Sequence, residues 1–316
     1  MVRKSLLVVF AIILLASLLA TGCTGRQPVP LTDPVPSTAN LIASVKINEI
    51  LGDPDIAQAY EDAEKDPDMP QTLDEALDEM EEETGIDLRD FDDAVVFADI
   101  EAEDGYWGAY ITGAVEEEEL IEAIEQEIGQ ELSHEEYRGY DIYVDPAGET
   151  AVCFLDDTSF LVGAVDAVED AIDAATGYVP GLEGPVLTLY EALGDVWVRV
   201  ALEPPEETVE DIQEEAPFNT DMLGSVEAVG ASLKKTGDVV AVDLRVCVSS
   251  PVFAEGLKVA LAAGKTYYQI DADLPDNVLA VLEKVVLSRS GSCTVIALTA
   301  TVDEIEEFVE GMQDEW

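Results

Sequence analysis

Sixty-nine carboxylates against fifteen basic side chains constrain this chain more than any motif in it. With the single histidine neutral, the formal net charge is −54 over 316 residues. Chains that stay unfolded combine such charge with low hydrophobicity. Here 48% of residues are hydrophobic, so the sequence carries a core and wraps it in acid. Unscreened, that shell opposes compaction. In about 1 M salt the Debye length is about 3 Å, and the same shell keeps a fold soluble. The chain reads as built for brine. Nucleic acid is excluded as a partner, because phosphate backbones need Lys and Arg to displace their counterions. A bare anionic lipid surface is repelled for the same reason.

The first residues say where the brine is. Arg3 and Lys4 precede an apolar run from Ser5 to Ala20, closed by Gly22 and Cys23. That is the charged start, apolar middle and small-residue cleavage site of an exported precursor. The run, roughly 15 residues, is short of the roughly 20 that span hydrocarbon comfortably. Ala20-Thr21-Gly22-Cys23 reads as a lipobox, with residues 1–22 a signal peptide and Cys23 the lipidated new N-terminus. The same residues also fit plain small-x-small cleavage without lipid, or an uncleaved anchor. Pro28, Pro30, Pro34 and Pro36 follow. Proline favours extended polyproline II, so residues 23–39 read as a tether that could hold a domain about 40–50 Å from the bilayer.

Beyond the tether, periodicity suggests one plan used twice: residues 40–178 and residues 186–316, each an α+β domain with an antiparallel sheet and helices packed on one face. In the first, "NLIASVKI" predicts a strand. Thr72 and Glu75 predict a capping box opening a helix, and Asp104-Gly105 predicts a hairpin. A helix burying Leu120, Ile121, Ile124 and Ile128 comes next, then three short strands and a helix through Val168 and Ile172. In the second, "LTLYEALG" reads as a helix, "DVWVRVALE" as a strand, and an acidic helical piece surrounds Val209 and Ile212. A hairpin turns at Thr236-Gly237-Asp238, and a helix runs from Pro251 to Ala263. "CTVIALTATV" reads as a strand before a last helix with a Thr301–Glu304 capping box, burying Ile305, Phe308 and Val309. The Gly- and Pro-rich bridge from Gly177 to Val186 is the boundary. Consecutive strands are joined by turns too short for parallel crossovers. Acid is unevenly shared: residues 40–178 hold 42 acids and 4 bases, residues 179–316 hold 26 and 8.

Chemistry is sparse. His134 is the only histidine, so a serine or cysteine triad would have to be built on it, and a zinc site with two histidines cannot form within one chain. Gly264-Lys265-Thr266 imitates the end of a phosphate loop but lacks its first glycine and follows a helix. Ser232-Leu233-Lys234-Lys235 and Lys235-Thr236-Gly237 imitate penicillin-binding motifs but share one lysine at a hairpin. Acid loops starting at Asp66 and Asp271 break the EF-hand pattern at Pro70 and Pro275. No catalytic residue, dedicated metal site or cofactor is assigned; weak adsorption of divalent cations onto the carboxylates is the expectation.

One constellation has character. Alternation in "DVWVRVALE" sends Val196, Val198, Val200 and Leu202 to the core, with Trp197 and Arg199 opposite. In "VAVDLRVCV" it sends Val242, Leu244, Val246 and Val248 to the core, with Asp243, Arg245 and Cys247 opposite. Trp197, Arg199, Asp243 and Arg245 thus predict either an interdomain contact with an Arg–Asp pair or a face for a ligand or partner. Of the cysteines beyond Cys23, Cys247 and Cys293 are candidates for a disulfide, and Cys153, between Val152 and Phe154, reads as a buried thiol.

On the lipobox at Ala20 to Cys23 and the acid-for-lysine composition, the chain resembles the acidic surface lipoproteins of salt-adapted archaea. "ETGIDLRDFDDAVVF" resembles a helix-to-strand passage of their repeated domains. The resemblance implies a lipid-anchored, extracytoplasmic protein at the cell membrane and carries no activity with it. The expected role is a non-enzymatic binding or scaffolding module, its partner or solute unidentified. The alternatives are the substrate-binding subunit of an importer and, third, a surface hydrolase.

Overall fold

The structure, a computed structural model, describes residues 34–62, 69–102, 105–205, 207–209, 225–270 and 276–305. The leader with Cys23, the first residues of the acid loops at Asp66 and Asp271, Asp104 of the expected hairpin turn, and Ile212, Phe308 and Val309 lie outside them. Among the described residues the chain is α+β, and the pairings among the strands of residues 91–164 and among those of residues 198–301 are antiparallel. Two compact units divide it. Of the described residues, the first holds 34–39 and those within Ser44–Leu182, the second Asn40–Ala43 and those from Glu183 onward. The division falls inside the Gly- and Pro-rich bridge, and β1 (Leu41–Lys46) shares its residues between the two.

The first unit continues with α1 (Ile47–Leu51), α2 (Pro54–Asp62) and α3 (Leu73–Thr84). The Thr72 hydroxyl accepts from Glu75 N at 3.1 Å while the Glu75 carboxylate accepts from Thr72 N, the reciprocal box read from sequence. Then come β2 (Phe91–Ala98), β3 (Trp107–Gly113), α4 (Glu117–Ile128), β4 (Ser133–Tyr137), β5 (Tyr140–Val144), β6 (Thr150–Asp156), β7 (Ser159–Ala164) and α5 (Val165–Ala175). The strands lie in the order β2-β3-β7-β6-β5-β4.

Helices were expected on one face of this sheet; they cover both. Register aligns Ala94, Ile111, Phe160 and Phe154 on one face, where Leu120 and Ala123 of α4 join the core. Val95, Tyr110, Leu161 and Cys153 align on the other face, buried to within 1%. There α5 packs on β3, β6 and β7, burying Ala167, Val168, Ala171 and Ile172, and Tyr106 donates to Asp170 at 3.0 Å. The physical cause is legible in β6 and β7, which are apolar at both parities and buried almost throughout. Ile128, expected in the core, is exposed at the end of α4.

Two further departures concern polar sequence. "LSHEEYRG" yields β4, an edge strand, because Arg138 (φ 53°) and Gly139 (φ 83°) form a tight turn back to β5. Its exposed, charged side chains are what an edge needs to resist pairing with another chain. The expected tether, 23–39, gives its last residues to the fold. Val35 is fully buried and its carbonyl accepts from Leu182 N at 2.7 Å, while Pro36 bridges to Gly181. An apolar valine among prolines gains more from burial than from solvation.

In the second unit, α6 (Pro185–Ala192) and β8 (Val198–Leu202) precede β9 (Val226–Thr236) and β10 (Val239–Val248). Next come α7 (Pro251–Ile270), α8 (Asp276–Lys284), β11 (Val286–Ser290) and β12 (Cys293–Thr301). The strand order is β11-β12-β10-β9-β8. β11 was not foreseen, and α7 runs past the expected Ala263. At the end of β12, Thr301 and Glu304 form their capping box.

Candidate functional site

The four residues singled out from sequence gather around the end of one helix. α6 packs on β8 and β9 through Val186, Leu189 and Tyr190. It can lie close because Gly230 in β9 has no side chain: a Cβ there would stand 2.9 Å from Leu189 Cδ2 and from Val200 O. The covered face is the one carrying Arg199 and Ala201, and Ala201 is 0% exposed. Trp197, just before β8, is 8% exposed. Arg199 Nη1 donates to Gly194 O at 2.8 Å, and its guanidinium carbon lies 3.9 Å from the centre of the Tyr190 ring. Arg245 Nη1 donates to Ala192 O at 2.7 Å and its Nη2 to Asp243 at 3.3 Å. Both arginines therefore satisfy carbonyls at the C-terminal end of α6, where positive charge suits the helix dipole.

Alternation alone assigned that face to the outside. The other face, expected in the core, is open along most of its length: Val198, Val200 and Leu202 are half-buried and Leu244 is 37% exposed, whereas Val248, past a register shift, is fully buried as expected. Polarity misled because the outer nitrogens of these arginines find acceptors under α6, although Arg245 Nε is buried without a partner among the described residues. Cys247 and Cys293, opposite each other in β10 and β12, form a disulfide. Cys153 is a buried thiol in β6.

Within the first unit, a cleft of about 880 Å³ opens beside the start of α4. Val115, Ile121 and Tyr143 give it an apolar lining, and Glu118, Glu122 and Asp157 give it an acidic rim. Tyr143 donates to Glu117; burial, then that carboxylate, push the phenol's pKa well above its usual range. His134 is exposed on β4, its Nε2 2.8 Å from Asp141. Among the described residues no group of three or more His, Cys, Asp or Glu side chains is placed to hold a metal ion. Lys265, of the imitation phosphate loop, lies inside α7 and donates to Val285 O at 2.6 Å. Ser232 and Lys235, of the imitation penicillin-binding motif, lie within β9.

The helix from Pro251 was expected; the feature that sequence reading missed is the outward face of α7. Between Asp243 and Asp271 the chain holds one acid, Glu255, against Arg245, Lys258 and Lys265. α7 turns Ala254 and Leu257 inward, and Thr294 on β12 donates to Ala254 O at 2.7 Å. Its outward side carries Val252, 78% exposed, Val259, 58% exposed, and Phe253, 43% exposed. Glu255 is shared by Lys258 at 2.6 Å and Arg289 at 3.5 Å. Two cations on one carboxylate leave this helix side apolar and locally positive. The signal was available as a gap in the acid spacing.

No family model matches the chain, and no curated protein matches it. Among solved structures it is similar to three crystal forms of TP0453. Form III aligns at TM-score 0.49 and 10% identity over 90% of this chain and 100% of that one. Form IV aligns at TM-score 0.47 and 11% identity over 89% and 97%, and form I at 0.44 and 12% over 90% and 98%. No function passes to this chain from them.

Proposed function

We propose that the chain is a non-enzymatic binding or scaffolding module, anchored through lipid on Cys23 at the extracytoplasmic face of a cell membrane in high salt. The two units are read as variants of one α+β plan. The observation that carries the binding role is the exposed face of α7. In a chain with 69 acids, a helix side with three outward apolar residues and one carboxylate is a surface suited to contact. The anchor rests on the order of Arg3 and Lys4, the apolar run, and Ala20 to Cys23. Among the described residues no helix is long and apolar enough to cross a membrane.

The test is expression in a salt-adapted host. The wild type should partition into detergent and be cut by protease added to intact cells, whereas Cys23→Ser should enter the medium. Wild type found in the medium at the mass of an unmodified chain would overturn the anchor.

A further inference from the structure

We propose that the outward face of α7 docks into the acidic cleft beside α4 of a second copy of this chain. The proposal rests on the binding-module reading and names the partner. Its ground is charge and apolar complementarity between two surfaces, each already present on every copy. Val252 and Val259 are seven residues apart, two turns of helix and about 10.5 Å, so they share one side. On the same helix Lys258, joined by Arg289 of β11, converges on Glu255. A surface of this sign and polarity fits a partner that offers carboxylates around an apolar floor. The cleft beside α4 has both: exposed Glu118 and Glu122 line it together with half-buried Val115 and Ile121.

Because the two surfaces differ, the contact is heterologous: one copy's second unit meets the next copy's first unit. Such contacts build rings or open chains rather than a self-limiting pair. High salt screens the charged part of the contact and strengthens the apolar part. A common anchor in one membrane raises the concentration of each surface near the other.

The experiment uses the whole mature chain carrying Cys23→Ser, in high salt, followed by sedimentation and light scattering. Mass should rise above that of one chain as concentration increases to about 1 mM, the weak end for a specific contact. Val252→Asp with Val259→Asp should weaken assembly at least tenfold, and Glu118→Lys with Glu122→Lys should do the same, because a few central residues dominate an interface. All four side chains are exposed or at the cleft rim, so circular dichroism should be unchanged.

The decisive step is mixing the two variants. Each retains one intact surface, so the mixture should form a one-to-one dimer and nothing larger. A parent that stays a monomer overturns the proposal, as does a double-aspartate variant that assembles normally. So does a mixture that remains monomeric, which would mean that α7 meets its own copy or another surface. Flotation of a monomeric parent with neutral lipid vesicles would give α7 to the membrane instead. Should the Cys23 experiment succeed while this one fails, the anchored module stands without self-assembly; the reverse outcome removes the anchor and keeps the contact.

Discussion

In residues 40–178, 42 acids surround 4 bases; in residues 179–316, 26 surround 8. The two regions use their positive charge differently. In the first, the described bases are clasped by carboxylates. Lys46 holds Glu49 at 2.6 Å. Arg89 joins Asp87 to Asp78 and Glu81 of α3. Arg138 at the β4–β5 turn grips Asp173 of α5 with two bonds, at 2.9 and 3.2 Å, and Tyr137 adds a third. In the second region Arg199, Arg245, Lys265 and Arg289 all reach main-chain carbonyls. Where acid is densest, scarce cations cross-link elements that would otherwise repel. Where acid thins, cations still pair with Asp243, Glu255 and Glu304 but also cap main chain, and a helix side can stay apolar at the surface.

The largest test of this contrast is salt withdrawal. From about 3 M to about 0.05 M salt the Debye length grows several-fold, and self-repulsion grows with it. The first unit should lose amide protection at a higher salt concentration than the second in hydrogen exchange followed by mass spectrometry. Simultaneous loss, or earlier loss in the second unit, would end the argument from acid density.

Next in size is reduction of Cys247–Cys293, which closes a loop with a sequence separation of 46. In the chain-entropy model such a link contributes about 4 kcal/mol. Reduced protein should melt earlier, with the lost protection confined to β9 to β12. An unchanged melting temperature would show that the pairing of β10 with β12 does not depend on the bond.

Asp173→Ala comes third. Removing a carboxylate ought to help a chain this acidic, yet Asp173 is 7% exposed and accepts from both Tyr137 and Arg138. Its loss should cost about 2 kcal/mol, whereas Glu122→Gln at the exposed rim of the cleft should be neutral or stabilising in low salt. If both substitutions stabilise alike, the Arg138 clasp has no net worth.

Mild acid should give the smallest effect, with opposite signs in the two regions. Burial first, then Asp166, Asp170 and Asp173, raise the Glu169 pKa, and burial and Asp87 raise that of Asp90. Folded protein holds those protons more tightly than unfolded, so the first unit gains stability as pH falls toward the ordinary carboxylate range. Hydrogen bonding to Lys258 lowers the Glu255 pKa, and Lys284 lowers that of Glu304. Their contribution is present at neutral pH and fades as pH falls below about 4.5 through the lowered values. Region-resolved hydrogen exchange at pH 7, 5 and 4 should show the first unit firming before the second loosens.

Local signals carried far in this chain. Thr72 and Thr301 announced their helix starts, and alternation placed most strands. A capping box or a hairpin turn is decided by neighbours a few residues apart, and so it is written in the sequence. The candidate surface was legible too, as the single acid between Asp243 and Asp271, but only to a reader of spacing rather than motifs.

What local pattern could not decide was which side of a strand would be covered. Polarity put Arg199 and Arg245 outside. The tertiary structure covers them, because α6 lands on their face and its terminal carbonyls at Ala192 and Gly194 need donors. Likewise β4 became a strand only because a turn delivered it to the edge of β5, and Val35 left the tether only because Leu182 lay ready to bond it. The sequence by itself determined the acid shell, the apolar inventory and the caps, which depend on composition and near neighbours. Burial of a charged or polar stretch depends on partners far along the chain, and only the folded arrangement supplies them.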